Sequence, residues 1–346
     1  MQNKKKMKLS NDNFNIEFTE EICKDIYALQ DKDNSFCVFN SIHGILCIVY
    51  PTIDFSIIFY DIINKAKIVE IKKAHNNYII EFRYYLDDID KFNKRDLILS
   101  ISYDDRNVKI WDFNNVECIF NIFPYTKGII NSACFLYDIN LNEIMIIISN
   151  KTNSHIKESI KIFNLFGEEI QEIEDSQNEV IYINSFYDIY YNKNYIISAN
   201  KELVISYDYE KNKTYKAYKD DDSIYDCTSI IIINDKDINF VKLIYSTGNG
   251  LIKIWNFHMC ILLAKIKINH GYIFSICLLN EKYLFSCGKN YDNDIIKNII
   301  DESNIKIIHL NNETTCKLIN YKNFGNCLIT KNLSYDGPLK IWKINL

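Results

Sequence analysis

The sequence predicts an all-β fold of seven four-stranded antiparallel sheets set around one axis. Three observations predict it. The stretch "SYDDRNVKIWDF" (102–113) returns as "STGNGLIKIWNF" (246–257) and as "LSYDGPLKIWKI" (333–344), and these three hold every Trp of the chain. Short runs of β-branched and aromatic residues, often alternating, fill the rest and are separated by turn residues, with helical periodicity nearly absent. The last repeat lacks one strand, and a spare strand stands near the start.

The tryptophans set the period. Trp111, Trp255 and Trp342 are 144 and 87 residues apart, three steps of 48 and two of 43.5. Weaker copies fall between and before them. Tyr60-Asp61, Phe163, Tyr207-Asp208 and Asn298 occupy the Trp place in "DFSIIFYDI", "SIKIFNL", "ELVISYDY" and "DIIKNII". Upstream of each marker lies a second run ("ILCIVY", "LILSIS", "IMIIIS", "YIISAN", "KLIYST", "YLFSCG", "CLITKN"), and before it a first ("SFCVFN", "IIEFRYY", "INSACFL"). After the marker comes a fourth ("AKIVEI", "CIFNI", "EEIQEI", "KTYKAY", "LLAKIKI", "IKIIHL"). Each unit therefore reads as a four-stranded meander.

The seventh unit stops at Leu346 after its third strand, and "NFNIEF" (13–18) or "DIYALQ" (25–30) is available to complete it. A linear stack would leave sheet edges open, and a ring removes them. The expectation is one seven-bladed β-propeller over residues 10–346, closed by an N-terminal strand, with residues 1–9 as a disordered basic tail.

Composition agrees with a soluble globular chain: 48% of residues are apolar and 25% charged. A formal net charge of −5 argues against a nucleic-acid partner. No apolar run is long enough to span a bilayer, and no apolar segment follows the basic start, so neither membrane insertion nor a signal peptide is expected. Eleven cysteines without a C-x-x-C pair suit a reducing interior, intracellular and cytoplasmic rather than nuclear. The Lys4–Lys8 cluster, a possible nuclear signal, reads as solvated tail.

The repeats resemble the WD40 β-propeller family. In that family a His before the first strand, a Ser or Thr ending the second, an Asp in the second-to-third turn and a Trp in the third strand hydrogen-bond together and pin the turn. Carried over residue by residue, the resemblance implies His75, Asp105 and Trp111 in the second unit, with Tyr103 where the family has Ser or Thr. It implies Thr247, Asn249 and Trp255 in the fifth, Ser334, Asp336 and Trp342 in the seventh, and Thr52, Asp54 and Tyr60 in the first. The third and fourth units have Lys157 and Lys201 at the Asp place, and the sixth has His270-Gly271 without the aromatic. No unit shows the complete set.

Catalytic chemistry finds no foothold. Neither G-x-S-x-G nor H-E-x-x-H occurs, and His258-Met259-Cys260 has no second ligand pair, so no enzyme, metal or cofactor is expected. Gly248-Asn249-Gly250 reads as a tight hairpin with positive φ at both central residues, because a strand rather than a helix follows. Asp220-Asp221-Asp222 reads as a solvated acidic loop. The resemblance implies a non-catalytic scaffold for proteins or peptides, a monomer within a larger complex. Tyr103 and Arg106 stand as contact residues, on the connecting loops and second-to-third turns of one face. The alternatives are a ubiquitin-ligase substrate receptor, which would carry Arg two places after Trp-Asp where Asn114 stands, and a phosphoinositide-binding propeller, whose Phe-Arg-Arg-Gly motif "EFRYY" (81–85) matches in part.

Overall fold

The computed structural model describes residues 6–8, 15–22, 35–102, 105–125, 129–151, 160–173, 180–200, 203–220, 226–235, 240–268, 271–279, 283–289, 296–302, 305–311, 313–321, 325–332 and 339–345. Their regular structure is all strand. Lys157, Lys201, His270, Tyr103, Ser334 and Asp336 lie outside the described residues, as does "DIYALQ".

Five sheets are simple antiparallel meanders. The first comprises Cys37–Asn40, Leu46–Pro51, Ile57–Asp61 and Ala66–Ile71. The second comprises Ile79–Asp87, Arg95–Ser102, Val108–Asp112 and Glu117–Ile122. The third runs Ile129–Asp138, Glu143–Lys151, Ile160–Asn164 and Glu169–Ile173. The fourth runs Tyr182–Asp188, Lys193–Ala199, Val204–Asp208 and Lys213–Tyr218. The fifth runs Cys227–Asp235, Phe240–Thr247, Leu251–Asn256 and Ile261–Lys267. Apolar residues dominate the second and third strands and are buried there. The fourth strands carry more polar side chains, such as Glu169 and Glu172, and lie at the exposed margin.

The seventh sheet holds Glu313–Tyr321, Gly325–Asn332 and Leu339–Asn345, and its fourth strand is Asn15–Ile22, paired antiparallel with Phe18 opposite Trp342. This pairing carries a local signature of its own. In the first five sheets the register between third and fourth strands slips by one residue at the marker position: at Tyr60, Trp111, Phe163, Tyr207 and Trp255. The N-terminal strand slips at the same place, between Phe18 and Glu20 opposite Trp342. Each slip is a bulge that sharpens local twist. Lys6–Lys8, inside the stretch expected as a tail, adds a short strand to Asn15–Glu17.

The sixth sheet departs from the meander. Its strand order places Ile305–Asn311 beside Tyr283–Lys289, and that pair is parallel; Ile296–Glu302 lies outside. The expected third and fourth strands are thus exchanged. Polarity gives the reason. Ile296–Glu302 carries Lys297, Asn298, Asp301 and Glu302, whereas Ile305–Asn311 carries Ile305, Ile307, Ile308 and Leu310. The more apolar strand takes the inner place and the charged one the edge.

Successive sheets share apolar cores. Val49 and Phe59 pack with Ile98 and Trp111 between the first and second. Leu99 and Ile110 pack with Ile146 and Phe135 between the second and third. Similar cores join third to fourth, fourth to fifth and fifth to sixth. Ile48 and Tyr50 of the first sheet pack against Ile329, Leu339 and Ile341 of the seventh. First strands from five sheets line a cavity of about 660 Å³ that includes Arg83, Tyr182, Ile231, Cys277 and Lys317.

Candidate functional site

Sheet register locates the polar set of the second unit. Trp111 stands opposite Ile98, and Ser100 is two residues further on the same face, the diagonal distance that a large side chain spans. The Trp111 indole N–H donates to Ser100 Oγ at 2.8 Å, and His75 Nε2 lies 2.8 Å from that same oxygen. His75 Nδ1 lies 3.2 Å from Asp105 Oδ2, which also accepts the backbone N–H of Asn76 at 2.7 Å. Burial pushes the His75 pKa below its ordinary value, so the ring is neutral. Nδ1–H then donates to Asp105 and Nε2 accepts the Ser100 hydroxyl. Burial alone would raise the Asp105 carboxyl, but the hydrogen bond from His75 and that from Asn76 hold it below its usual range. The structure therefore brings His75, Asp105 and Trp111 together, and the hydroxyl that joins them is Ser100, not a residue at position 103.

The seventh sheet repeats the geometry. Trp342 stands opposite Leu328, and its indole N–H donates to Thr330 Oγ1, two residues further on, at 2.9 Å. Thr330 thus fills the place given to Ser334. In the fifth sheet the same position holds Tyr245. Its hydroxyl and the Trp255 indole N–H are both buried and near one another, without a hydrogen bond of ordinary geometry to the described residues. The fourth sheet pairs Ser198 Oγ with the Tyr207 hydroxyl at 3.4 Å.

Thr247-Asn249 and Thr52-Asp54 do something different from the expected set. Each Thr Oγ1 bonds the side chain two residues on, Asn249 at 2.5 Å and Asp54 in the other turn. It also accepts the backbone N–H four residues on, from Leu251 and Ser56, at 3.2 Å. These bonds shape the second-to-third turn. Of the two central residues only Gly250 has positive φ (79°), so the expected positive φ at Asn249 does not occur. A Cβ on Gly250 would lie 2.2 Å from the Gly271 carbonyl oxygen, so the position demands glycine.

Two of the three "KIW" lysines, Lys109 and Lys253, reach back to the preceding connection. Lys109 Nζ donates to the Ala74 carbonyl at 2.6 Å. Lys253, fully buried, pairs with Asp220, which Lys265 also approaches at 3.6 Å. Asp220 is therefore a structural ion-pair partner rather than part of a solvated loop. Its neighbours 221–222 lie outside the described residues.

The opposite end of the sheets, formed by first-to-second and third-to-fourth turns, has its own rule. In each of the first five sheets the third strand ends in Asp or Asn whose side-chain oxygen accepts backbone N–H groups of the turn, as Asp61 does from Ile63 and Asn64, both at 2.9 Å. Across the seam, the next sheet's turn reaches the Asp that ends a first strand. Tyr209 OH donates to Asp138 Oδ2 at 2.8 Å. His258 Nε2 lies 2.6 Å from Asp188 Oδ2, with Tyr215 OH 3.0 Å from its Nδ1. So His258, met in the sequence as half of an incomplete metal motif, is a seam tie. Among the described residues, most large exposed apolar side chains lie at this end, among them Phe92 (96% exposed), Phe166 (85%), Met259 (68%) and Tyr191 (60%). Arg106 is exposed in the second-to-third turn, at the other end, with φ +55°.

Among the described residues no group of His, Cys, Asp and Glu could hold a metal ion, and no helix is long and apolar enough to cross a membrane. Burial pushes the Cys37 thiol up to about 11 and the Cys47 thiol up to about 12, which keeps them protonated and unreactive. No protein-family model matches the chain, and no curated protein matches it.

Proposed function

We propose that the chain is a closed seven-bladed β-propeller of the WD40-repeat type, acting as a non-catalytic scaffold for other proteins. Closure is supported by the antiparallel pairing of Asn15–Ile22 with Leu339–Asn345 and by the core shared between the first and seventh sheets. The WD40 character is supported by the Trp111–Ser100–His75–Asp105 relay. The observation that carries the scaffold reading is the concentration of exposed apolar side chains on turns. Those turns are fixed by Asx bonds and by ties such as Tyr209–Asp138, so Phe166 and Met259 are held at constant geometry. Exposed apolar groups on a rigid frame are what protein partners recognise.

Affinity purification from the native cell, followed by reconstitution of each recovered protein with the purified chain, tests this. A stoichiometric complex that survives size-exclusion chromatography is the expected result. Failure of every recovered protein to bind the purified chain overturns the scaffold reading. Ring closure has its own test, since electron-microscopy class averages should show seven blades around a central hole.

A further inference from the structure

The second-to-third seam lacks a tie that the next two seams have. At the third-to-fourth and fourth-to-fifth seams, a donor from the later sheet's third-to-fourth turn caps the first-strand Asp of the earlier sheet. At the second-to-third seam the matching Asp is Asp87, and the residues following the turn-forming Asn164 are Leu165 and Phe166, which donate nothing from their side chains. Asp87 is satisfied from its own hairpin instead, by Arg95 Nε at 2.9 Å and a terminal guanidinium nitrogen at 2.6 Å. The space a bridging ring would fill is open. It forms a cleft of about 430 Å³ whose apolar wall is Ile89, Ile144, Leu165 and Phe166.

The rim of this cleft is acidic. Asp87, Asp90 and Glu143 line it, with Arg95 the single cation among the lining residues and already paired to Asp87. Hydrogen bonds from the Phe92 N–H and the Asn93 side chain hold the Asp90 carboxyl below its usual range, so it stays ionised. Glu143 is exposed beside buried Ile144. Lys91 and Lys94 belong to the same hairpin but do not line the cleft.

We infer that this cleft is a docking site for a linear peptide segment of a partner protein, one that presents an apolar side chain flanked by Lys or Arg. The inference rests on the scaffold reading and adds the place and the ligand chemistry. The apolar side chain enters between Leu165, Ile144 and Ile89, where the next two seams place Tyr209 and His258. Phe166 covers it from the solvent side. The flanking cation meets Asp90 and Glu143, and this charge match selects basic over acidic segments.

A phage-displayed library of random 12-residue peptides, selected against the immobilised full-length chain, tests the inference. The enriched sequence is expected to pair an apolar residue with Lys or Arg. A fluorescein-labelled peptide of that sequence should lose about tenfold or more in affinity to the Phe166→Asp and Glu143→Lys variants, as truncation of a central contact does. Met259→Asp, at a different seam, should leave its affinity unchanged. All three sites are exposed, so melting temperatures should match that of the parent chain. An acidic consensus, or a peptide whose affinity ignores both cleft variants, overturns the cleft. If such a peptide is lost instead in Arg106→Glu, the scaffold reading stands with its site at the other end. No enrichment at all counts against both.

Discussion

His258 of the fifth sheet holds Asp188 of the fourth, Nε2 to Oδ2 at 2.6 Å, across a seam where Tyr191 and Tyr215 close around the imidazole. Burial lowers the His258 pKa against the raising influence of Asp188, while Lys216 adds a smaller lowering. His75 is lowered in the same way, by burial first, with Asp105 opposing and Lys109 assisting. A His whose folded pKa is depressed stabilises the fold fully above its unfolded value, about 6.5, and that contribution is lost as pH falls through the folded value. Melting temperature should therefore decline between pH 7 and pH 5, before most carboxylates titrate. His75→Gln should flatten that decline while lowering the melting temperature at pH 7. An equally steep decline in the His75→Gln and His258→Gln double variant would show that other groups set the acid limit.

The relay through Ser100 makes a second prediction. Ser100→Ala leaves the Trp111 N–H and the His75 Nε2 buried without partners, a loss of about 1–3 kcal/mol. Trp111→Phe removes one donor and much packing. Because both changes act on one hydrogen-bonded chain, the double variant should cost less than the two singles combined, with a coupling of about 0.5–3 kcal/mol in urea unfolding. Strict additivity would mean that the relay is not energetically connected.

Lys253 and Asp220 give a third. Asp220→Asn strands a fully buried ammonium, and breaking a buried pair by removing one partner costs about 3–5 kcal/mol. Lys253→Met replaces the cation with an apolar chain of similar length, and Asp220 keeps Lys265 nearby. The Met variant should be clearly more stable than the Asn variant by thermal unfolding. The reverse order would place the value of the pair in Asp220 alone.

Much of this is legible in the sequence. The period of the tryptophan-bearing runs located the strands of the first five sheets to within a few residues, because half-buried strands must alternate and turns must be polar. The Ser100 hydroxyl was not legible. In "LILSISY" three hydroxyl-bearing residues compete, and only the register that sets Ile98 opposite Trp111 selects the one at even spacing. The exchange in the sixth sheet was hidden for a different reason: chain order assigns the third and fourth places, and only the greater polarity of Ile296–Glu302 beside Ile305–Asn311 points the other way. The cleft beside Phe166 was out of reach altogether. It is built by three turns from two sheets, and the absence of a tie at Leu165 has meaning only beside Tyr209 and His258.

The N-terminal strand carries the last prediction. Asn15–Ile22 gives Leu339–Asn345 its only second neighbour in the seventh sheet, and it reproduces the bulge that fourth strands make opposite the marker residue. Deleting residues 1–30 would leave the backbone of Leu339–Asn345 as an open edge next to buried Leu339, Ile341 and Ile344. Those side chains also form part of the core shared with the first sheet, through Leu339 and Ile341, so the damage should spread across that seam. Deleting residues 1–9 removes Lys6–Lys8, which pairs only with the outer side of Asn15–Glu17 and adds nothing to that core. The shorter deletion should therefore be soluble with a melting temperature near that of the full chain, and the longer one should aggregate or associate through its new edge. Supplying a synthetic peptide of residues 10–30 in trans should restore monodispersity to the longer deletion. A monomeric 31–346 fragment with an unchanged melting temperature would show that the seventh sheet, and the ring it is proposed to complete, stands without the N-terminal strand.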